Sequence, residues 1–299
     1  MTSLLTATTL KTTILTILAL IAFAANSVLC RLALDENSID AASFTLIRLL
    51  SGALVLALIL VMLKRFSSFS QKPVSKGSWS ASLMLFIYAL CFSFAYISLD
   101  TATGALILFG SVQITMILLS LFSNNRLQLS EWLGLIIAFT GFVYLILPEL
   151  STPSLNGFIL MSLSGIAWGI YSLIGRGSQN AIMDTAYNFL RTLPLLLIVA
   201  AFTFAQAHLS QQGIILAIFS GAIASGMGYA IWYMALAGLT ATKAAVVQLS
   251  VPVIAAFGGV IFVAEAITQR LTLSSLMVLG GIFIVIASQY YLTKARNPN

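Results

Sequence analysis

The chain has 299 residues, of which 60% are hydrophobic and 7% charged, and its mean hydropathy is +1.05, against roughly 25% charged residues in an average soluble domain. Such a composition excludes a water-soluble globular fold and predicts an integral membrane protein. The net charge of +6 is accounted for by membrane orientation, as set out below, and calls for no nucleic-acid partner.

A membrane-spanning helix needs about 20 mostly apolar residues. That template fits ten times along the chain, over 12–34, 40–63, 78–98, 103–122, 131–147, 155–174, 184–204, 211–237, 240–263 and 270–292. A β-barrel would show short segments of alternating polarity, and these runs do not alternate. The first span is longer than the apolar core of a signal peptide, and Cys30-Arg31 stands where a small-residue cleavage site belongs, so it reads as a retained helix. Both cysteines, Cys30 and Cys91, fall inside spans and read as packing residues rather than a disulfide. His208 lies in a short connection and reads as a solvated loop histidine.

Lysine and arginine favour cytoplasmic loops. With the N-terminus inside, the inner connections hold Lys11, Lys64, Arg65, Lys72, Lys76, Arg126, Arg176, Lys243, Lys294 and Arg296. The outer connections hold mostly acids: Asp35, Glu36, Asp40, Asp100, Glu149 and Glu265, with Arg270 as the exception. Both termini are therefore expected in the cytoplasm.

The halves repeat. AFAANSVLCR, Ala22 to Arg31, aligns with AWGIYSLIGR, Ala167 to Arg176, and SFTLIRLL aligns with AYNFLRTL, which places Arg48 on Arg191 and Phe44 on Tyr187. Tyr96–Ile114 resembles Tyr233–Val253 with a two-residue insertion. Five helices per half is an odd number, so the second copy enters the membrane from the opposite side, an arrangement that suits alternating access to a midplane site. Arg48 and Arg191 then form a pseudo-symmetric pair of charges in apolar helices. They read as structural or gating residues, with substrate contact or snorkelling to the interface as the other readings.

These segments resemble the drug/metabolite transporter superfamily in its ten-helix EamA-type branch, and the resemblance covers nearly the whole chain. It rests on the helix-one and helix-six pair with Ala167-Trp168-Gly169, on the arginine after an aromatic in helices two and seven, and on the small-residue helices four and nine. In such families a Gly-Glu commonly closes helices four and nine; here the second copy has Ala264-Glu265 and the first has Asn125-Arg126. Within the superfamily the chain is most similar to YddG-type exporters, which implies aromatic amino acids and some amphipathic cations as substrates.

No acid falls in the middle of a span, which argues against carboxylate-based proton coupling and against a permanently cationic substrate. Aromatic and amide residues occur there instead. Helix three carries Tyr88, Phe92 and Tyr96 on one face, helix eight carries Tyr229 and Tyr233 beside Trp232, and helix six adds Trp168 and Tyr171. Asn26, Gln113 and Gln248 are amides in apolar helices and must face the bundle interior or a wet cavity. Together these ten residues, Trp232 aside, predict a substrate cavity in which rings stack a flat side chain while amides and hydroxyls bind a zwitterion. Interfacial belts and helix-to-helix glue are the competing readings for the aromatics and amides. Pro194 and Pro252 read as kinks, and Gly221, Ser225, Gly226 and Gly228 as sites of close approach or bending.

A single loop histidine without a paired acid offers no catalytic or metal-binding set, and neither a channel filter nor an ATP-binding motif is present. The expectation is therefore an all-α integral membrane protein of ten transmembrane helices in two five-helix inverted repeats, 1–150 and 151–299, multi-pass in the inner or plasma membrane. It uses no cofactor and functions as a monomer, since one chain supplies both halves. Its expected activity is secondary export of small amphipathic metabolites, aromatic amino acids in particular, through a central cavity. A multidrug or organic-cation exporter of the same fold, or a helical channel, is the alternative.

Overall fold

In hydrocarbon every backbone polar group has to be satisfied within the protein, which leaves helices as the form an apolar run can take. The computed structural model describes residues 2–35, 38–66, 76–121, 129–146, 154–239, 244 and 247–296. These form ten helical elements: α1 (Thr2–Asp35), α2 (Ala41–Phe66), α3 (Trp79–Ala95), α4 (Thr101–Leu121), α5 (Leu129–Ile146), α6 (Leu155–Gly175), α7 (Ala181–Thr203), α8 (Gln211–Leu236), α9 (Val251–Phe262) and α10 (Gln269–Arg296). Nine of the expected spans each fall on one of them; of the span expected over 240–263, residues 251–262 form α9 after a turn at 249–250, while 240–243 and 245–246 lie outside the described residues. By length and apolar composition α1, α2, α6, α7 and α8 are long enough to cross a membrane. Glu36, Lys72, Asn125, Arg126, Glu149 and Lys243 lie outside the described residues.

The starts of the helices are locally encoded. Asp40, Ser78, Ser154, Asn180 and Ser210 each stand just before a helix and accept a hydrogen bond from the backbone N–H three residues on, at 2.9 to 3.2 Å. Each cap of this kind stabilises its helix by about 1 kcal/mol. Pro252 lies in the first turn of α9, directly after a turn at 249–250, where its missing N–H leaves no helical bond unmade; Pro194 lies inside α7.

The helices pack in a definite pattern. α6 lies against α3 and α4; α1 lies against α8 and α9; α2 packs on α7 and α8, α3 also on α7, and α4 on α9. α5 and α10 pair with each other at one side of the bundle. Their axes close on a reciprocal glycine contact, since a Cβ on Gly134 would strike the Gly281 carbonyl and one on Gly281 would strike that of Gly134.

Polar ties join helix ends across the bundle. The Gly77 N–H donates to Asp184 Oδ1 at 2.8 Å and the Ser78 N–H to Asn188 Oδ1 at 3.1 Å, so α7 holds the start of α3. Gly77 has φ +61°, a left-handed conformation that suits glycine. At another corner the α1–α2 turn holds the start of α8: Ser210 N–H donates to Ser38 O at 2.9 Å, Asp40 N–H to His208 O at 3.1 Å and His208 N–H to Asp40 Oδ2 at 2.8 Å. Partial burial pushes the Asp40 carboxyl up, but the donors from Ser43 and His208 outweigh it and hold it below the usual carboxylate range. His208 itself is exposed, as a solvated loop histidine should be. Cys30 is buried, Cys91 is half-buried and both are free.

The α2–α8 crossing depends on glycine. A Cβ on Gly221 would strike both Ser51 Oγ and the Arg48 carbonyl oxygen, and backbone cannot move aside cheaply. Gly221→Ala is expected to destabilise the protein by about 1–3 kcal/mol, read as a lower thermal unfolding midpoint in detergent. Gly280→Ala, where a Cβ meets nothing within 4 Å, should leave the midpoint unchanged or raise it; equal effects of the two would refute the close crossing.

Candidate functional site

Arg48 of α2 is fully buried at the junction of α2, α3 and α8. Its Nε donates to Ser225 Oγ at 3.0 Å, and its Nη2 donates to Tyr88 Oη at 3.0 Å and Tyr229 Oη at 2.8 Å. The two phenols also bond each other at 2.9 Å. The guanidinium carbon lies 4.7 Å from the Phe92 ring centroid and 5.2 Å from that of Tyr88. A guanidinium removed from water costs several kcal/mol. Hydrogen bonds to a charged group return about 1.5–3 kcal/mol each, and ring faces add cation–π attraction, so these neutral partners make the burial tolerable. Nη1 has no hydrogen-bond partner, and the ion pairs found among the described residues both belong to Arg31.

Asn26 of α1 extends the network. Its Nδ2 donates to Tyr88 Oη at 3.2 Å, and its Oδ1 accepts from Ser220 Oγ at 2.5 Å and from Ser225 Oγ at 3.4 Å. That pair of serines is brought together by the winding of α8, which is π-helical over Ser220–Met227. In an α-helix residues five apart point about 140° away from one another; a winding closed by i→i+5 bonds brings them nearly into line. Small residues at Gly221, Ala222, Ala224 and Gly226 make room for it.

Aromatic rings enclose this polar centre. Trp168 of α6 lies 4.6 Å from Tyr229 and 4.9 Å from Tyr88 between centroids, and Phe23 of α1 lies 5.3 Å from Trp168 and 5.5 Å from Trp232. Phe92 continues the row to Tyr96, whose hydroxyl donates to Thr101 O. Tyr171 continues it in another direction to Tyr233, at 5.2 Å. Gln248 comes within 3.5 Å of the Trp168 indole N–H and donates to Ala244 O, while Gln113 is buried on α4.

All ten residues expected to line a cavity are thus buried. Asn26, Tyr88, Phe92, Trp168 and Tyr229 meet around Arg48; Tyr96 lies at one end of the row and Tyr171 with Tyr233 at another. The two arginines part company. Arg191 is half-buried beside the start of α3, donates to Lys76 O at 2.6 Å and lies over the Trp79 ring at 5.5 Å. Phe23, Ser220 and Ser225 were not among the expected site residues. Phe23 could have been found three residues before Asn26 on the same helix face.

A second polar network, also unexpected, joins α1, α3, α4 and the α9–α10 connection. Glu265 accepts from Arg31 Nε at 3.2 Å, from Thr101 N–H at 2.9 Å to each oxygen, and from Thr101 Oγ1 at 3.1 Å, so it caps α4 as it pairs with α1. Arg31 Nη1 also donates to Tyr96 O at 3.2 Å. Glu265 and Arg31 are 12% and 14% exposed, whereas Asp100, 3.6 Å from Arg31, is 64% exposed and adds little. Ala264, just before Glu265, takes φ 56°, a left-handed conformation that suits glycine better than alanine. Outside the bundle core, α1 and α8 enclose an apolar groove of about 330 Å³, lined by Leu18, Ile21, Phe219, Ile223 and Met227 among others, with no polar side chain.

A left-handed alanine costs about 1–2 kcal/mol, so Ala264→Gly should raise the thermal unfolding midpoint. In a double-mutant cycle Arg31→Ala and Glu265→Ala are expected to couple by about 1 kcal/mol or more; additivity within about 0.3 kcal/mol would show that the pair is not an energetic unit.

The model of the EamA-like transporter family matches the chain twice, over residues 10–147 and 155–287. An uncharacterised protein of Pseudomonas aeruginosa is 47% identical over 277 residues, covering 93% of this chain and 95% of that protein. Proteins described as uncharacterised transporters are 28% identical over 205 residues in Archaeoglobus fulgidus, covering 67% of this chain and 73% of the relative, and 23% identical over 250 residues in Bacillus subtilis, covering 81% and 85%. A solved crystal structure shares the fold with a TM-score of 0.59 at 17% identity, covering 90% of this chain and 96% of that one. With two family matches spanning most of its length and a bundle of apolar helices, the chain is a multi-pass membrane transporter and belongs to the EamA-like transporter family.

Proposed function

We propose that the protein is a secondary transporter that exports small amphipathic metabolites, aromatic amino acids in particular, across the inner or plasma membrane by alternating access. The observation that carries this reading is the buried cluster around Arg48, Tyr88, Tyr229, Asn26 and Trp168. It is drawn from α1, α2, α3, α6 and α8, so it includes helices of both halves, and it combines flat apolar faces with fixed donors and acceptors, as binding sites for amphipathic molecules do.

In this reading residues 1–150 and 151–299 are inverted five-helix repeats with both termini cytoplasmic. Support comes from the two family matches and from the packing: exchanging the halves turns the α3–α6 contact into α8–α1, α4–α6 into α9–α1, and α2–α8 into α7–α3. Tyr88, Phe92, Trp168, Tyr229 and Gln248, with Asn26 and Gln113, line the cavity when it opens; Tyr96, Tyr171 and Tyr233 flank it toward its two ends. Arg191 and Pro194 serve the motion of α7 against α3, Pro252 serves α9, and Arg48 ties α2, α3 and α8 in the closed form. One chain supplies the complete site and works as a monomer.

The test is uptake of radiolabelled phenylalanine, tryptophan, threonine and alanine into proteoliposomes, with and without a pH gradient. Saturable movement of the aromatic substrates, indifferent to pH, is expected. Tyr229→Ala, which removes a phenol and a ring from the cluster, should reduce flux by tenfold or so while expression falls little, since a lost charge-assisted hydrogen bond is worth about 1.5–3 kcal/mol. Failure of every amino acid to move would sink the substrate assignment.

A further inference from the structure

We propose that Arg48 is the carboxylate anchor of the transport site, so that the protein recognises amphipathic molecules by their carboxylate and discriminates against the corresponding amides and amines. This inference rests on reading the buried cluster as the substrate site, and it names which end of the substrate that site reads.

The donors and acceptors around Arg48 do not balance. A guanidinium carries five N–H donors and no acceptor. Three bonds from Nε and Nη2 to hydroxyl groups are made here, and Nη1 is buried without a partner. The indole N–H of Trp232 is a second buried donor without one, and its ring lies against Phe23, which in turn lies 5.9 Å from Tyr229. The amide oxygen of the cluster, Asn26 Oδ1, is already committed to two serine hydroxyls. The surplus is therefore of donors and of positive charge, and an unmet donor or charge in an apolar bundle is costly.

A carboxylate removes both surpluses at once. Its two oxygens match the planar fork of a guanidinium in a bidentate pair, and its single negative charge equals that of the one arginine. An ammonium group finds no carboxylate on these residues and would face a fixed like charge. Phosphate, carrying closer to two charges, would leave one uncompensated. The rings of Tyr88, Trp168 and Tyr229 then cover whatever apolar body the carboxylate carries. The Tyr88 and Tyr229 hydroxyls that hold Arg48 in the closed form are the groups a carboxylate would displace, which links arrival of substrate to release of the tie between α3 and α8.

The experiment compares four ligands of similar ring and chain: phenylalanine, 3-phenylpropionate, phenylalaninamide and phenethylamine. Each is tested for a shift of the thermal unfolding midpoint of the purified protein and for movement or competition in proteoliposomes. Both carboxylates are expected to bind about tenfold or more tightly than the amide and the amine, the factor that one charge-assisted hydrogen bond supplies. Arg48→Gln should erase that preference, and Arg48→Lys, which keeps the charge without the fork, should retain part of it. Should either variant fail to fold, the wild-type series decides alone.

Phenethylamine or phenylalaninamide binding as well as the carboxylates overturns the anchor, and if phenylalanine still moves, the reading as an amino-acid exporter stands without it. Binding of 3-phenylpropionate with no flux of phenylalanine keeps the anchor and removes the amino-acid assignment. If none of the four binds or moves, both fall.

Discussion

A guanidinium cannot remain in an apolar bundle unless the bundle supplies its solvation. For Arg48 that solvation comes from two phenols, a serine hydroxyl and two ring faces, on helices separated by as many as 181 residues of sequence. The approach of α2 to α8 at Gly221, the π winding that lines up Ser220 with Ser225, and the position of Tyr88 on α3 all serve that one charge. Because the partners are neutral, they hold the charge without cancelling it. The bundle therefore holds a fixed positive charge enclosed by aromatic surface.

Much of this architecture was legible in the sequence because it is local. Ten apolar runs became ten helices, capping residues stand where polar side chains precede them, and the Tyr88, Phe92 and Tyr96 face is simple helical spacing. The need of amides to face inward follows from the cost of wetting hydrocarbon with an unpaired polar group, and Asn26 and Gln248 obey it.

What was not legible depends on contacts between distant segments. Arg48 and Arg191 occupy matching places in two similar helices, yet one is sealed among hydroxyls and the other reaches the carbonyl of Lys76. Only the neighbours distinguish them, and neighbours are not written in the helix itself. The π winding has no signature of its own in the sequence, because small residues are equally compatible with ordinary close packing. Glu265 stands out in the sequence as a difference between the halves, but its bond to the start of α4 depends on the α9–α10 connection passing Thr101. Pro252 followed another rule than the one expected of it: a proline in an apolar run suggests a kink, while one just after a turn starts a helix.

The pair α5 and α10 stands apart from this chemistry, and its glycine contact governs how the sequence can drift. Each glycine meets the other's carbonyl, so neither position can acquire a side chain while the other backbone stays in place. The outward faces, with Trp132, Leu133, Ile136, Leu273 and Leu276 exposed, demand little beyond apolar character. Substitutions should accumulate freely on that surface and almost never at its glycine seam, and the seam would change only by both helices moving apart together.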